Sequence, residues 1–221
     1  MILIEEPGFD ISAMGEGAVL FHAALPLRPG GQQALWAMAE QARGWPGMAE
    51  AIPGVANLLL VFDPDRTGAA EVAERLARAW QDRPAFERDP VVHHVAVRYG
   101  GAAGYDLEEV ARATGIDPED YIARHLAGVY TVGAIGAQPG FGYLTGLDPA
   151  LAVPRRDVPR LSIGIGSVII GGAQTAVSTL TAPSGWHVIG ETDMRFFDPA
   201  AARPARLQLG DQVTFHREDF A

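Results

Sequence analysis

Between Leu161 and Gly190 the chain carries no Asp, Glu, Lys or Arg. A stretch that avoids charge for so long belongs either in a bilayer or in the interior of a folded domain. A membrane-spanning helix needs about 20 mostly apolar residues with few breaks. This run is broken by Gly164, Gly166, Gly171, Gly172, Gln174 and Pro183. It therefore reads as buried strands and tight turns. The surrounding sequence agrees. From Tyr130 onward the short runs VYTVGAIG, SVIIGG, TAVSTLTA, WHVIGE and QVTFHR alternate with Gly and Pro, the pattern of a β-barrel or sandwich.

The first part of the chain alternates instead. EGAVLFHAAL and GVANLLLVFD read as strands, the second closed by the turn signal DPDRTG. GQQALWAMAEQAR places Leu35, Trp36 and Met38 on one apolar stripe, and AAEVAERLARAW does the same with Val72, Leu76 and Trp80. The reading is a small α+β unit with helices on an antiparallel sheet. The polar, two-proline segment Gln81–Pro90 is the expected linker, giving an N-terminal α+β domain over 1–85 and a β-rich domain over 90–221. The latter opens with the strand VVHHVAVRYGG and two helices, DLEEVARATG and DPEDYIARHLAG. In the second helix Asp117 sits at the N-cap and Pro118 at the first helical position.

Charge and composition exclude several functions. With a net charge of −10, the chain lacks the basic stripe that nucleic acid or an anionic membrane requires. All seventeen basic residues are arginine, which removes a phosphate-loop lysine, a Schiff base and a lysine general base. The chain has no cysteine, so thiolate catalysis, disulfides and Cys-type zinc sites are out. That absence, and an N-terminus (MILIEEPGFD) without signal-peptide character, lead to an expected cytoplasmic location. GIGSVIIGG lacks the third glycine of a dinucleotide fingerprint and reads as barrel-corner glycines. His93 and His94, adjacent on a strand, face opposite ways and do not readily share a metal; no metal site is expected.

The segment AQPGFGYLTGLDPALAVPRRDVPR, from Ala137 to Arg160, reads as an unusually constrained loop. Arg155, Arg156 and Arg160 either add solubility and pair with Asp157, or present stiffened guanidinium groups to a carboxylate or phosphate. His125, near a helix C-terminus, either complements the helix dipole or handles a proton near neutrality.

From Val95 to the end, the chain resembles the family of allophanate hydrolase subunit 1, which includes a 5-oxoprolinase subunit and a sporulation kinase inhibitor. The shared pieces run in order: VRYGG, DLEEVA, the His125–Tyr130 pair, PGFGYLTGLDP, PRRDVPR, GSV, QT, P-x-G-W, IG-x-T and GDQVTF. The likeness implies an α+β fold: a small N-terminal α+β domain, then a cyclophilin-like closed β-barrel with short helices. It implies a non-autonomous subunit of an ATP-dependent amide or lactam hydrolase, opening 5-oxoproline to glutamate, with ATP bound by this chain or by the complex. The implied partners are a related second subunit (allophanate hydrolase subunit 2 or PxpC-like) and a PxpA-like third subunit. Alternatives within the family are a histidine-kinase regulator and a component of a urea carboxylase and allophanate hydrolase system. By motif, His125 would be catalytic, and Arg155, Arg160, Gln174 and Thr175 would bind substrate or anion. Phe141, Tyr143 and Trp186 would wall the cleft, and Gly140 and Gly185 would serve as backbone turns. The chain departs from the family pattern at Ala137, Ser178, Ser184 and Glu191.

Overall fold

The computed structural model describes residues 1–26 and 30–218. The chain forms two compact units, Met1–Asp89 and Pro90–Ala221.

The first unit is a five-stranded antiparallel sheet covered by helices. Strands β1 (Ile2–Glu6) and β2 (Phe9–Ala13) form a hairpin, followed by β3 (Ala18–Ala23) and helix α1 (Gly31–Ala42). Then come β4 (Met48–Pro53), β5 (Asn57–Phe62) and helix α2 (Ala69–Asp82). The order across the sheet is β1-β2-β3-β5-β4. Alternation decides which face is covered: Leu58, Leu60 and Phe62 are buried while their neighbours are half-exposed. Leu35, Trp36 and Met38 of α1 are buried, as are Val72 and Leu76 of α2, and Trp80 is half-buried. Phe21 stacks on Phe9 at 5.2 Å between centroids and meets the Trp80 ring at 5.1 Å. The β1–β2 hairpin and β4 were not expected from the sequence.

The second unit is a closed barrel. It begins with β6 (Val92–Tyr99) and helices α3 (Leu107–Thr114) and α4 (Pro118–Ala127), then β7 (Val129–Ile135) and β8 (Gly142–Thr145). A 3₁₀ turn (Pro149–Leu151) precedes β9 (Arg160–Ile163), β10 (Ser167–Gly171) and β11 (Gln174–Val177). The last strands are β12 (Ala182–Ser184), β13 (His187–Glu191) and β14 (Gln212–Arg217). Seven of them close in the order β10-β11-β8-β7-β14-β6-β13, with β12 and β9 forming a separate ribbon. Closure explains the charge-free run over β10, β11 and β13 but not at its start, where Leu161 of β9 is 91% exposed on the separate ribbon and is not the buried strand expected. Every residue of β10 is buried, hydrogen-bonded on one side to β11 and on the other to β13, and a charge there would have no water on either face. The only parallel pair in the barrel, among the described residues, joins β14 to β6.

The barrel core includes Val95, Val97, Tyr130, Val132, Leu144, Val168, Ile170, Val213 and Phe215, with Val110, Tyr121 and Ile122 supplied by the helices. Helix α4 starts as expected: the Asp117 side chain accepts from the Glu119 amide at 3.0 Å and Pro118 occupies the first position. The Tyr121 hydroxyl, buried with the helix, donates to the Leu151 carbonyl at 2.7 Å, so the polar tip is satisfied where water is excluded. The Ala137–Arg160 segment is not a single loop. It contains β8 and the 3₁₀ turn, and residues 152–159 are its longest stretch outside them.

Candidate functional site

One cleft of about 300 Å³ opens on the barrel where the Ala137–Phe141 turn, the β9–β12 ribbon and the arginine-bearing connection meet. Its wall is aromatic. Phe141 immediately precedes β8, Tyr143 lies on it, and Trp186 immediately precedes β13. Their ring centroids are 5.0 Å (Phe141–Tyr143), 6.2 Å (Phe141–Trp186) and 6.1 Å (Tyr143–Trp186) apart, all steeply inclined. Such edge-to-face contacts set positive ring edges against negative faces. Ile163 and Ile169 support them from below. The indole lies directly on the backbone of Gly171: a Cβ there would stand 2.6 Å from the ring. Glycine at this strand position is the condition for Trp186 to lie flat.

Arginines close the cleft on one side, and the structure separates their roles. Arg155 is exposed, its guanidinium carbon 5.6 Å from the Trp186 ring centroid, and it makes no ion pair among the described residues. Arg156 also lines the cleft but is committed: Nη1 donates to Asp106 at 3.3 Å and to Glu109 at 2.9 Å. Arg160 does not line it. Its guanidinium grips the Asp106 carboxylate and lies 4.6 Å over the Tyr105 ring. The hydrogen bond to Asp106 holds the Arg160 pKa above its ordinary value. Asp106 is 1% exposed and also accepts from the Val188 amide at 2.9 Å. The carboxylate that answers these arginines is thus Asp106 on the barrel body, and not the neighbouring Asp157. A buried carboxylate needs such partners, and here it ties the arginine connection to the start of α3.

His125 is placed elsewhere. It is fully buried in the barrel, stacked on Phe215 at 4.7 Å between centroids. Nδ1 lies 2.8 Å from the Tyr99 hydroxyl and Nε2 lies 3.1 Å from Thr175 Oγ1. Thr175 spends its one hydrogen on the Ile169 carbonyl at 3.0 Å, so toward His125 it accepts. That assigns the proton to Nε2 and leaves Nδ1 to accept from Tyr99. The network is complete with a neutral imidazole. Burial pushes the His125 pKa down to about 3, because it removes the solvation that a cation needs and no carboxylate replaces it.

Set against the residues singled out from sequence, the cleft brings together Phe141, Tyr143, Arg155, Gly185 and Trp186. His125 and Thr175 lie in the core, Gln174 stands at the β10–β11 turn opposite Gly171, and Arg160 is on Asp106. Gly140 has φ 72° and a Cβ there would approach the Phe196 carbonyl to 2.9 Å, so the turn requires glycine. Nothing comparable constrains Gly185, whose carbonyl accepts from the Arg156 amide at 2.8 Å. Sequence reasoning missed Gln138, Ser178 and Ser184 as lining residues. Gln138 and Ser184 each flank a motif that was singled out, and Ser178 follows β11, so proximity in sequence was the available signal. The Gln138 Oε1 accepts from Thr179 at 3.3 Å, which leaves its NH₂ group as a donor. Of the departures from the family pattern, Ala137, Ser178 and Ser184 fall in the cleft. Glu191 is outside it, 3.9 Å from Arg98 in a surface ion cluster.

A closed barrel with an aromatic cleft and a guanidinium without an ion pair at its mouth has the shape and charge to suit a small anionic molecule. The chain belongs to the family of the carboxyltransferase domain, subdomains C and D, whose family model matches residues 9–207. It is 39% identical over 202 residues to the B-type subunit of 5-oxoprolinase from Escherichia coli O157:H7, covering 91% of this chain and 93% of that protein. The crystal structure of TTHA0988 is 30% identical with a TM-score of 0.78; the match covers 93% of this chain and 40% of that one. The K. lactis urea amidolyase structure superposes with a TM-score of 0.80 at 17% identity, covering 98% of this chain and 16% of that one, a likeness of fold. No helix among the described residues is long and apolar enough to cross a membrane.

Proposed function

We propose that this chain is the B-type subunit of an ATP-dependent 5-oxoprolinase, and that the Arg155–Trp186 cleft holds the substrate. The observation that carries the reading is the unpaired Arg155 guanidinium over the Trp186 ring, in a chain so similar to a named 5-oxoprolinase subunit. 5-Oxoproline is a flat five-membered lactam with one carboxylate. The carboxylate pairs with Arg155, the ring lies against Trp186, Tyr143 and Phe141, and the lactam carbonyl accepts from the Gln138 amide. Gln138 takes the part that the motif resemblance implies for Gln174.

The chemistry explains why ATP is needed. A lactam carbonyl is a poor electrophile. When its oxygen attacks the γ-phosphorus, ADP leaves and the carbonyl carbon becomes open to water. The C–N bond then opens, the ring nitrogen becomes the free amine of glutamate, and a second water releases phosphate from the acyl phosphate. Charge that develops on the transferring group needs cationic or backbone N–H stabilisation, which the assembled complex supplies. In this reading Arg160 and His125 support the site from outside: Arg160 anchors the connection and His125 holds the barrel wall. A related second subunit and a third metabolic subunit supply the remaining groups.

The test is 5-oxoproline-dependent ADP release by the assembled complex carrying Arg155→Ala. KM for 5-oxoproline is expected to rise about tenfold or more, with the melting temperature unchanged because Arg155 is exposed. An unchanged KM would remove 5-oxoproline from this cleft.

A further inference from the structure

A second concentration of cations lies on the barrel away from the cleft. Arg195, Arg203 and Arg206 fall within twelve residues of a chain whose net charge is −10. All three are exposed; Arg195 helps to hold the Asp193 pKa down, while Arg203 and Arg206 make no ion pair among the described residues. Two depressions meet there and share Arg195 and Arg206 as a common wall. One, of about 430 Å³, is lined on its other sides by Phe197, Pro204 and Arg203. The second, of about 580 Å³, is lined by His94 and His216. Its acidic members are already occupied: Asp193 takes two hydrogen bonds from Arg98 at 2.9 Å and Glu218 takes one at the same distance. In the first depression Asp198 is engaged by the Ala200 amide at 2.9 Å. Backbone pairing holds the two arms of the ridge together: the Arg206 amide donates to the Phe196 carbonyl and the Asp198 amide to the Pro204 carbonyl, both at 2.9 Å.

Such a surface pairs a cationic ridge with an aromatic hollow. A purely anionic ligand would use only the ridge, and an acidic peptide would have no use for the hollow. A nucleotide uses both, setting its base against an aromatic face and its phosphates on guanidinium groups. We propose that Arg195, Arg203 and Arg206, with Phe197, form a nucleoside-triphosphate site on this chain. The place of a Cβ on Gly140 lies 3.0 Å from Phe197 Cβ, so the aromatic hollow backs onto the same turn that carries Phe141 into the cleft. The inference rests on the ATP-dependent reading for the identity of the nucleotide, and binding measured without 5-oxoproline keeps the two separate.

The experiment is titration of MgATP into the purified full chain by calorimetry, with tripolyphosphate and adenosine as competitors. Saturable binding is expected, weakened about tenfold or more in Arg203→Gln/Arg206→Gln and unchanged in Arg43→Gln, an exposed arginine of the first unit. The milder single variant Arg206→Gln is expected to give a partial loss, and thermal melting of each variant checks the fold. Absence of saturable binding, or binding unaffected by the arginine substitutions, would overturn the site. Tripolyphosphate binding as tightly as MgATP would reduce it to an anion patch and refute the nucleotide assignment. Substitutions that release a partner subunit yet leave MgATP binding intact would make it a protein interface instead.

Discussion

His125 shows how a residue type suggests one role and its surroundings impose another. An imidazole near a helix end can titrate near neutrality, and its position in a shared motif pointed to catalysis. In the folded chain both ring nitrogens are satisfied in the neutral form, by Tyr99 and Thr175. Protonating it would turn Nδ1 into a donor facing the Tyr99 hydroxyl in a buried, apolar setting. The consequence is a pH dependence of stability. The folded pKa, about 3, lies below the unfolded value of about 6.5. Between those values the unfolded chain binds the extra proton, so stability is fully present above about pH 6.5 and falls as pH drops toward 3, by up to about 1.4 kcal/mol per unit. Urea unfolding at pH 7 and pH 5 should show this slope, and His125→Met should flatten it. An unaltered slope would mean another group titrates. Gly171 makes the opposite point, since its importance lies in having no side chain. Gly171→Ala is expected to displace the Trp186 indole, shifting tryptophan emission and weakening 5-oxoproline binding, because a Cβ would stand 2.6 Å from the ring. Unchanged emission and binding would show that the strand yields instead.

At the scale of elements, the connection from Ala152 to Pro159 owes its shape to a residue fifty positions away. Asp106 holds Arg156 and Arg160 from the start of α3, and this pairing was not legible because sequence distance hides it. The nearest carboxylate in sequence, Asp157, was the natural guess. Breaking a buried pair from one side costs about 3–5 kcal/mol. Asp106→Asn is therefore expected to lower stability toward that range and to raise KM for 5-oxoproline by loosening the cleft wall. Loss of stability with an unaltered KM would separate the anchor from the site. The elements most legible in sequence were those long enough to show a period. The stripes Leu35, Trp36, Met38 and Val72, Leu76 belong to real helices, and the apolar runs match β5, β6, β10 and β14. Those not foreseen are short or mixed. β4 carries Met48–Pro53 with a glutamate and a proline, and β8 and β9 have four residues each, too few to show alternation. They exist because neighbouring strands supply hydrogen bonds, which is tertiary information. The aromatic wall was more legible than the strands beneath it. Phe141, Tyr143 and Trp186 stand in distinctive motifs, whereas Gln138 and Ser184 only flank such motifs and Ser178 follows a four-residue strand.

For the whole molecule, charge and closure decide what is possible. A barrel without open edges leaves its loops and outer face for function, and an acidic surface makes each unpaired arginine conspicuous. Two places carry the reading: Arg155 above the aromatic cleft, and the Arg195–Arg203–Arg206 ridge. A lactam on the first and a nucleotide on the second would account for both, with partner subunits completing the site. The fold alone does not select this chemistry, since a urea amidolyase contains the same architecture at 17% identity. The most direct test of the central claim is ADP release with and without 5-oxoproline, by this chain purified together with the products of its neighbouring genes and again with this chain omitted. The account predicts 5-oxoproline-dependent turnover that disappears on omission. Turnover that persists without the chain, or a stable assembled complex that 5-oxoproline does not stimulate, would contradict it.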